Sequence, residues 1–179
     1  MHRLSSFATT QQVRVTATSR FIGTSNPAFH FPPAVTPDVL RSKYRFAYRV
    51  RVENLSSHQY VQLLGRYWEI QEHDGPHSQD AVDSPIVVNA PETGAVGQLP
   101  VLRPNQVFEY TSGADLGTSR GSMQGHFYMA VVPEDAVCLN SGDDVDIIQE
   151  SDKFEAVVAP FPLVGYCSSN LGPQSEIES

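Results

Sequence analysis

The sequence predicts an all-β fold in which two sheets pack as a sandwich. Hydrophobic residues make up 40% of the 179-residue chain, enough for a proper core, and the aromatic residues are nine Phe, seven Tyr and one Trp. The 13 Pro and 12 Gly residues favour many turns over long helices. About seven short segments of strand-like pattern lie between turn signals, which is typical of an immunoglobulin-like sandwich.

The strands of the N-terminal part are indicated by side chains that alternate between apolar and polar. Residues 12–20 place Val13, Val15 and Ala17 on one face, which predicts a first strand. Residues 26–37 carry four prolines and predict a connection without regular structure, followed at most by one helical turn at 38–42. Residues 44–52 are the clearest strand. Its apolar face consists of Tyr44, Phe46, Tyr48, Val50 and Val52.

The opposite face of the 44–52 strand is basic, because it carries Arg45, Arg49 and Arg51. Such a row has two interpretations. It is a surface that binds an anion or a protein partner, or it is a set of arginines paired with acids on neighbouring strands. We expect the paired, solvated face, with Glu69, Glu109 or similar residues as partners.

Residues 60–72 predict one bent strand, or two joined at Gly65, where a bulge is expected. Trp68 and Tyr67 then lie on opposite faces of this strand. We expect Trp68 in the core, since a large indole suits the centre of a sandwich, and Tyr67 as a candidate contact with a protein partner. Residues 73–93 predict a polar excursion around the short apolar run at 86–88.

Further strands are predicted at residues 106–111, 121–132 and 154–158. The second of these places four core side chains on one face: Met123, Phe127, Met129 and Val131. Residues 133–153 form a second, acidic excursion, and residues 168–179 are polar enough to predict a flexible tail. The predicted domain therefore covers residues 12–167.

Residues 1–11 are expected to lie outside the domain, as a tail or a targeting leader. The first 37 residues contain Arg3, Arg14 and Arg20 but no acidic residue. The first ten are short, Arg-bearing and rich in Ser and Thr, which is the composition of a mitochondrial leader. The alternatives are a mitochondrial protein and a cytoplasmic protein with an acid-free tail.

Three segments carry a specific resemblance to a known family: Leu-Leu-Gly-Arg-Tyr-Trp at 63–68, Tyr-Thr-Ser-Gly at 110–113 and Gly-Ser-Met-Gln-Gly at 121–125. With residues 45–54 and 154–163, they make the chain resemble the ApaG domain family over nearly all of its length between the tails. The resemblance implies an immunoglobulin or fibronectin type III-like sandwich. The family occurs alone in bacteria, where it is linked to cobalt resistance and magnesium efflux, and as a module in eukaryotic F-box and DNA-polymerase-delta-interacting proteins. It includes no established enzyme.

The bacterial family also carries a Gly-x-Gly-x-x-Gly signature proposed to bind phosphate or pyrophosphate through backbone amides. Residues 92–97 correspond to it here, and Glu92 replaces the first glycine. A carboxylate repels a phosphate, and the segment does not open a helix as a phosphate-binding loop does. If the segment does bind an anion, Gly94 and Gly97 are the candidate residues. The simpler interpretation is that both are turn glycines.

Other classes of function find less support. A net charge of −8 disfavours direct binding to nucleic acid, and no run of about 18 apolar residues predicts a membrane span. Cys138 and Cys167 are predicted to be reduced and structural. His73 and His77 flank a Gly-Pro turn, and residues 140–144 lack the ligand order of a calcium loop, so no metal site is predicted. No catalytic motif is recognisable, and we name no catalytic residue and no cofactor.

We therefore expect a non-catalytic protein-interaction module, an accessory or structural subunit of a larger assembly. The mitochondrial ribosome is one candidate setting, and the acidic charge favours basic proteins as partners. The alternative is a protein that binds a small anion or a divalent cation, as the link of bacterial relatives to magnesium and cobalt homeostasis implies.

Overall fold

The structure, a computed structural model, describes residues 4–25, 43–73, 84–134 and 152–165. These ranges contain nine β-strands. They are β1 (Leu4–Thr10), β2 (Val13–Ser25), β3 (Lys43–Asn54), β4 (Tyr60–His73), β5 (Ile86–Ala90), β6 (Val101–Leu102), β7 (Val107–Leu116), β8 (Arg120–Val132) and β9 (Lys153–Val164). The described residues include no helix of the length and apolar character that a membrane crossing requires.

The strands form two antiparallel sheets. The four-stranded sheet has the order β1-β2-β3-β7, and the five-stranded sheet has the order β5-β4-β8-β9 with β6 beside β4. The predicted strands at 44–52, 60–72 and 121–132 match β3, β4 and β8 to within two residues at each end. The prediction of an all-β sandwich is confirmed.

The core lies between the two sheets and is centred on Trp68. This side chain is 2% exposed, and its ring meets Phe127 and Phe161 edge-on, with ring centroids 5.7 and 6.3 Å away. Burial of one large apolar side chain stabilises a fold by about 1.5–3 kcal/mol. The predicted core positions of Trp68 and of the apolar face of β3 are confirmed, because Phe46, Val50 and Val52 are also buried.

Residues 4–10 differ from the expected N-terminal tail, because they form β1 and pair with β2 along its whole length. Ser6 Oγ donates a hydrogen bond of 2.7 Å to the Ala159 carbonyl, and Thr10 Oγ1 accepts one from the Val157 amide at 3.2 Å. β1 is the edge of one sheet and β9 the edge of the other. These bonds therefore close one side of the sandwich.

Gly65 lies at a bulge, as predicted. The pairing of β4 with β8 shifts register between Leu63 and Gly65. A Cβ atom at Gly65 would lie 2.2 Å from the carbonyl carbon and oxygen of Pro91, so only glycine permits this close approach. The bulge also moves the next residue to the other face of the strand, so that Arg66 and Trp68 share the inner face.

The arginine face of β3 is paired, as expected, but not with every expected acid. Arg49 bonds Glu109 at 2.5 Å, and Arg45 lies 3.4 Å from Asp115. The expectation that Glu69 faces this row is wrong, because β4 belongs to the other sheet.

The excursion predicted at 73–93 contains a strand, because residues 86–90 form β5 and pair with β4. Several sequence-based expectations lie outside the described residues. They concern the helical turn at 38–42, His77, Cys138, the loop at 140–144, Cys167 and the tail at 168–179.

Candidate functional site

Three aromatic rings form a cluster on the outer face of the five-stranded sheet. Tyr67 of β4 pairs with His126 of β8, and the two rings stack with centroids 4.9 Å apart and planes 9° apart. Tyr128 meets the His126 ring edge-on at 4.7 Å. We call Tyr67, His126 and Tyr128 the outer aromatic cluster. All three side chains are half-buried, although they face away from the core.

Glu69 lies beside the cluster and is held by two neutral donors. Tyr67 Oη donates to one carboxylate oxygen at 2.8 Å, and Gln124 Nε2 donates to the other at 2.9 Å. The bond from Gln124, followed by that from Tyr67, holds the pKa of Glu69 below its ordinary value. The same Tyr67 bond raises the pKa of the Tyr67 hydroxyl. At neutral pH this surface therefore carries a fixed negative charge.

The rim of the cluster combines polar and apolar groups. Tyr128 Oη donates to Asn89 Oδ1 at 3.1 Å, and Glu155 Oε1 lies 3.6 Å from His126 Nε2. Val87 on β5 is 49% exposed, and Val157 on β9 is 47% exposed. Two exposed valines, Val87 and Val157, and two acidic side chains, Glu69 and Glu155, therefore surround the aromatic rings.

A second feature is a cleft of about 240 Å³ between the two sheets, which we call the inter-sheet cleft. It lies on the side of the sandwich opposite β1 and β9, where the edge strands β5 and β7 face each other without pairing. Its lining residues come from β3, β4, β5, β7, β8 and the loop after β5: Tyr48, Arg66, Trp68, Ile70, Val88, Val96, Tyr110, Ser112, Gly113 and Met123.

Arg66 supplies the positive charge of the cleft. Its Nη1 donates to the Gly94 carbonyl at 2.7 Å and to Thr93 Oγ1 at 3.3 Å, and these bonds hold the guanidinium in place. Among the residues that the structure describes, no carboxylate lies within ion-pairing distance of it.

Two residues that line the same cleft each carry a buried donor without a hydrogen-bonding partner in the described part of the chain. Trp68 Nε1 and Tyr110 Oη are both inaccessible to solvent, and neither meets an acceptor within the described parts of the chain. Burial, together with the neighbouring Tyr48, raises the pKa of Tyr110 far above its ordinary value, and the opposing effect of the Arg66 charge is smaller. Tyr110 therefore keeps its proton and acts as a donor.

Comparison with known proteins identifies the family. A sequence model of the ApaG domain matches residues 36–131. The chain belongs to the ApaG domain family. The match includes every member of the outer aromatic cluster, and it includes Arg66, Trp68 and Tyr110 of the cleft.

Bacterial ApaG proteins agree with this assignment. Protein ApaG of Pectobacterium carotovorum is 36% identical over 102 residues, which cover 57% of this chain and 71% of that protein. Protein ApaG of Xanthobacter autotrophicus is 36% identical over 122 residues, covering 68% of this chain and 77% of its own length.

Two solved structures share the fold. The X-ray structure of the structural genomics target SoR45 has a TM-score of 0.58 and 25% identity, and the likeness covers 96% of this chain and 99% of the target. The crystal structure of an ApaA protein from Bordetella pertussis has a TM-score of 0.54 and 29% identity, over 86% and 93% of the two chains. The likeness extends beyond the matched ApaG segment.

The glycine segment of this ApaG domain is a turn beside the cleft. The Gly94 amide donates to the Leu64 carbonyl at 2.9 Å, so in this conformation it does not point to an anion. Gly94 and Gly97 both have positive φ angles, 63° and 74°, which glycine adopts at low cost. Ala95 and Gln98 exchange backbone hydrogen bonds across the turn, and Glu92 is exposed.

The structure brings together residues that sequence reasoning treated separately. Tyr67, the predicted partner contact, lies in the outer aromatic cluster, and His126, which the sequence did not single out as a site residue, stacks on it. Arg66 and Tyr110 were not predicted as site residues. The signal for Arg66 was the glycine before it, since a bulge at Gly65 turns the arginine inward.

A third feature is a groove of about 430 Å³ near the end of β4, which is lined in part by His73, Arg120 and Ser122. His73 Nε2 lies 3.0 Å from Ser122 Oγ. Within the described ranges, no three His, Cys, Asp or Glu side chains are grouped so as to hold a metal ion.

Proposed function

We propose that this ApaG domain is a non-catalytic protein-interaction module that binds a partner through the outer aromatic cluster. The observation that carries the proposal is the stack of Tyr67 on His126 on the outer face of a sheet, between exposed Val87 and Val157. Aromatic side chains fixed by packing lose little entropy when a partner covers them, and such residues dominate the energy of many interfaces.

The charge of the surface favours a basic partner. Glu69 is held in its ionised form, Glu155 is exposed beside His126, and the chain carries a net charge of −8. An arginine of a partner can stack on the face of a tyrosine ring and pair with a neighbouring carboxylate at the same time. We therefore propose that the partner presents an arginine-bearing segment to Tyr67, Tyr128 and Glu69.

The setting we propose is a larger assembly in mitochondria, with the mitochondrial ribosome as one candidate. Support comes from the acid-free, arginine-bearing N-terminal segment of the sequence. Part of that segment forms β1, so removal of residues 1–11 would also remove a strand of the sandwich. Sequencing the N-terminus of the protein purified from its own cells tests this part of the proposal.

Affinity purification of a C-terminally tagged protein from its own cells, followed by mass spectrometry, tests the module. We expect a stoichiometric set of partners from the wild type. Val157→Arg adds positive charge beside the cluster and should repel a basic partner, so these proteins should be lost. Ile22→Arg is the matched control, because Ile22 is 59% exposed on the four-stranded sheet.

Two results would count against this function. Recovery of the wild type as a free monomer would overturn the proposed protein-interaction function. Equal retention of partners by Val157→Arg and Ile22→Arg would show that the outer aromatic cluster is not the interface.

The alternative function, binding of phosphate, pyrophosphate or a divalent cation, has less support at the predicted position. The Gly94 amide is engaged by Leu64, and Glu92 adds a negative charge to the same segment. A rise in melting temperature with pyrophosphate or Mg²⁺ would favour the alternative.

A further inference from the structure

We propose that the inter-sheet cleft binds a small organic monoanion, a carboxylate with a short apolar body. This site differs from the outer aromatic cluster and from the turn that contains Gly94 and Gly97. It does not depend on the protein-interaction function proposed above. The argument rests on three donor-bearing residues that line one cleft, Arg66, Trp68 and Tyr110, and on the apolar side chains around them.

The first step concerns the unpaired donors. Trp68 is 2% exposed and Tyr110 is 8% exposed, yet neither the indole N–H nor the phenol O–H meets an acceptor among the described residues. Most buried polar groups in native proteins are paired, and exceptions call for an explanation. Of the three such side-chain atoms in the described residues, these two belong to residues that line the same cleft, and the third, His126 Nε2, lies on the outer face 3.6 Å from Glu155 Oε1. Because the indole N–H and the phenol O–H are both closed to solvent, a ligand with two acceptor oxygens satisfies them only when the lining side chains move to admit it.

The second step concerns charge. Arg66 is bonded through Nη1 to uncharged oxygens of Thr93 and Gly94 and meets no carboxylate in the described residues. A guanidinium presents five N–H donors, and its remaining donors suit a carboxylate. Tyr110 keeps its proton, so its hydroxyl donates a hydrogen bond to such a ligand. One positive charge beside two neutral donors matches a single negative charge.

The third step concerns size and polarity. The rest of the lining includes the apolar side chains of Ile70, Val88, Val96 and Met123. A volume of about 240 Å³ lies below the range of about 300–1,000 Å³ that is usual for drug-sized ligands. The cleft therefore fits a carboxylate with an apolar body of several carbons. A doubly charged phosphate would leave one negative charge uncompensated against this apolar lining.

The experiment uses the indole of Trp68, which is the only tryptophan of the chain. The full-length, ¹⁵N-labelled protein is titrated with phenylacetate and, separately, with inorganic phosphate, while the single indole N–H resonance is recorded. We expect phenylacetate to move the indole proton downfield in a saturable manner, because the N–H gains an acceptor. Phosphate should leave the resonance in place.

Two variants identify the donors. Tyr110→Phe should weaken phenylacetate binding about 3- to 10-fold, the loss of one ordinary hydrogen bond. Its melting temperature should not fall, because the hydroxyl that it removes has no partner among the described residues. Arg66→Gln should weaken binding more than 10-fold, since a charged hydrogen bond is lost. The matched controls are Tyr60→Phe and Arg120→Gln, which alter a tyrosine and an arginine outside the cleft and should bind as the wild type does.

Three results would overturn the proposal. The first is an indole resonance that stays in place at saturating phenylacetate. The second is a shift of this resonance by phosphate that is as large as the shift by phenylacetate. The third is binding of phenylacetate by Tyr110→Phe and Arg66→Gln that is as tight as binding by the control variants.

Discussion

Tyr67 and His126 stack in parallel on the outer face of the five-stranded sheet, with ring centroids 4.9 Å apart and planes 9° apart. They are directly opposed on neighbouring strands, so each ring shields one face of the other from water. The Tyr67 hydroxyl reaches Glu69 on its own strand, and the His126 ring also meets Tyr128. The two residues join β4 and β8 and present a rigid surface at the same time.

We expect the Tyr67–His126 stack to contribute measurably to stability. Cross-strand aromatic pairs contribute about 0.2–1 kcal/mol beyond alanine pairs. Tyr67→Ala should lower the free energy of unfolding by about 1–2 kcal/mol, since ring burial is lost as well. A double-mutant cycle with His126→Ala, measured by urea unfolding, should give a coupling of about 0.5–1 kcal/mol. Additive effects of the two substitutions would mean that the stack contributes nothing of its own.

The pH dependence of stability should change in the variant Glu69→Gln. The pKa of Glu69 is lowered from its reference value of 4.5 in the folded protein, so its stabilisation is present above pH 4.5. It is lost as the pH falls below 4.5 through the lower folded value. At neutral pH Glu69→Gln should be less stable than the wild type, and this difference should shrink in acid.

Urea unfolding of both proteins between pH 7 and pH 3 measures this difference. Tyr67→Phe removes one of the two hydrogen bonds that lower the pKa and should show a smaller effect of the same sign. A stability difference between Glu69→Gln and the wild type that is constant over this pH range would contradict the assignment.

Gly65→Ala should be strongly destabilising. The added Cβ atom would lie 2.2 Å from the Pro91 carbonyl, so the strand or the segment after β5 must move. Overpacking of this kind costs about 1–3 kcal/mol, and here the obstacle is backbone. Gly113→Ala is the control, because its Cβ atom would lie 3.3 Å from the Phe46 carbonyl oxygen. Thermal unfolding should rank Gly65→Ala well below Gly113→Ala, and equal melting temperatures would contradict the close approach.

Removal of residues 1–11 should destabilise the domain and promote self-association. β1 pairs with β2 along its length, and its loss would leave the β2 edge unpaired. It would also remove the hydrogen bond from Ser6 to the Ala159 carbonyl. Ser6→Ala alone should cost about 1 kcal/mol. Size-exclusion chromatography and thermal unfolding measure both effects, and a truncated protein as stable and as monomeric as the full chain would show β1 to be dispensable.

Patterns within single segments were enough to predict much of the fold. The alternation of β3 placed Phe46, Val50 and Val52 in the core, and the glycine in β4 marked the bulge at Gly65. Both follow from the two-residue period of a strand, which is a property of neighbouring residues. The motifs at 63–68, 110–113 and 121–125 identified the family in the same local way.

The remaining features depended on which strands became neighbours. Residues 4–10 form a strand because β2 offers them an edge, although Leu4 is the only large apolar side chain on their half-buried face, beside Ser6, Ala8 and Thr10. For the same reason the arginines of β3 meet Glu109 and Asp115 on β7, while Glu69 lies on the other sheet.

The outer aromatic cluster and the inter-sheet cleft also depend partly on local sequence pattern and partly on tertiary contacts. The sequence by itself determined that the chain is an ApaG-type sandwich with Trp68 in its core and Tyr67 on the opposite face of the strand. Only the tertiary structure decided that Tyr67 stacks on His126 and that Arg66, Trp68 and Tyr110 line one cleft. Strand pairing and sheet packing are long-range contacts. No local period of the sequence specifies them, since they form only when distant segments are brought together.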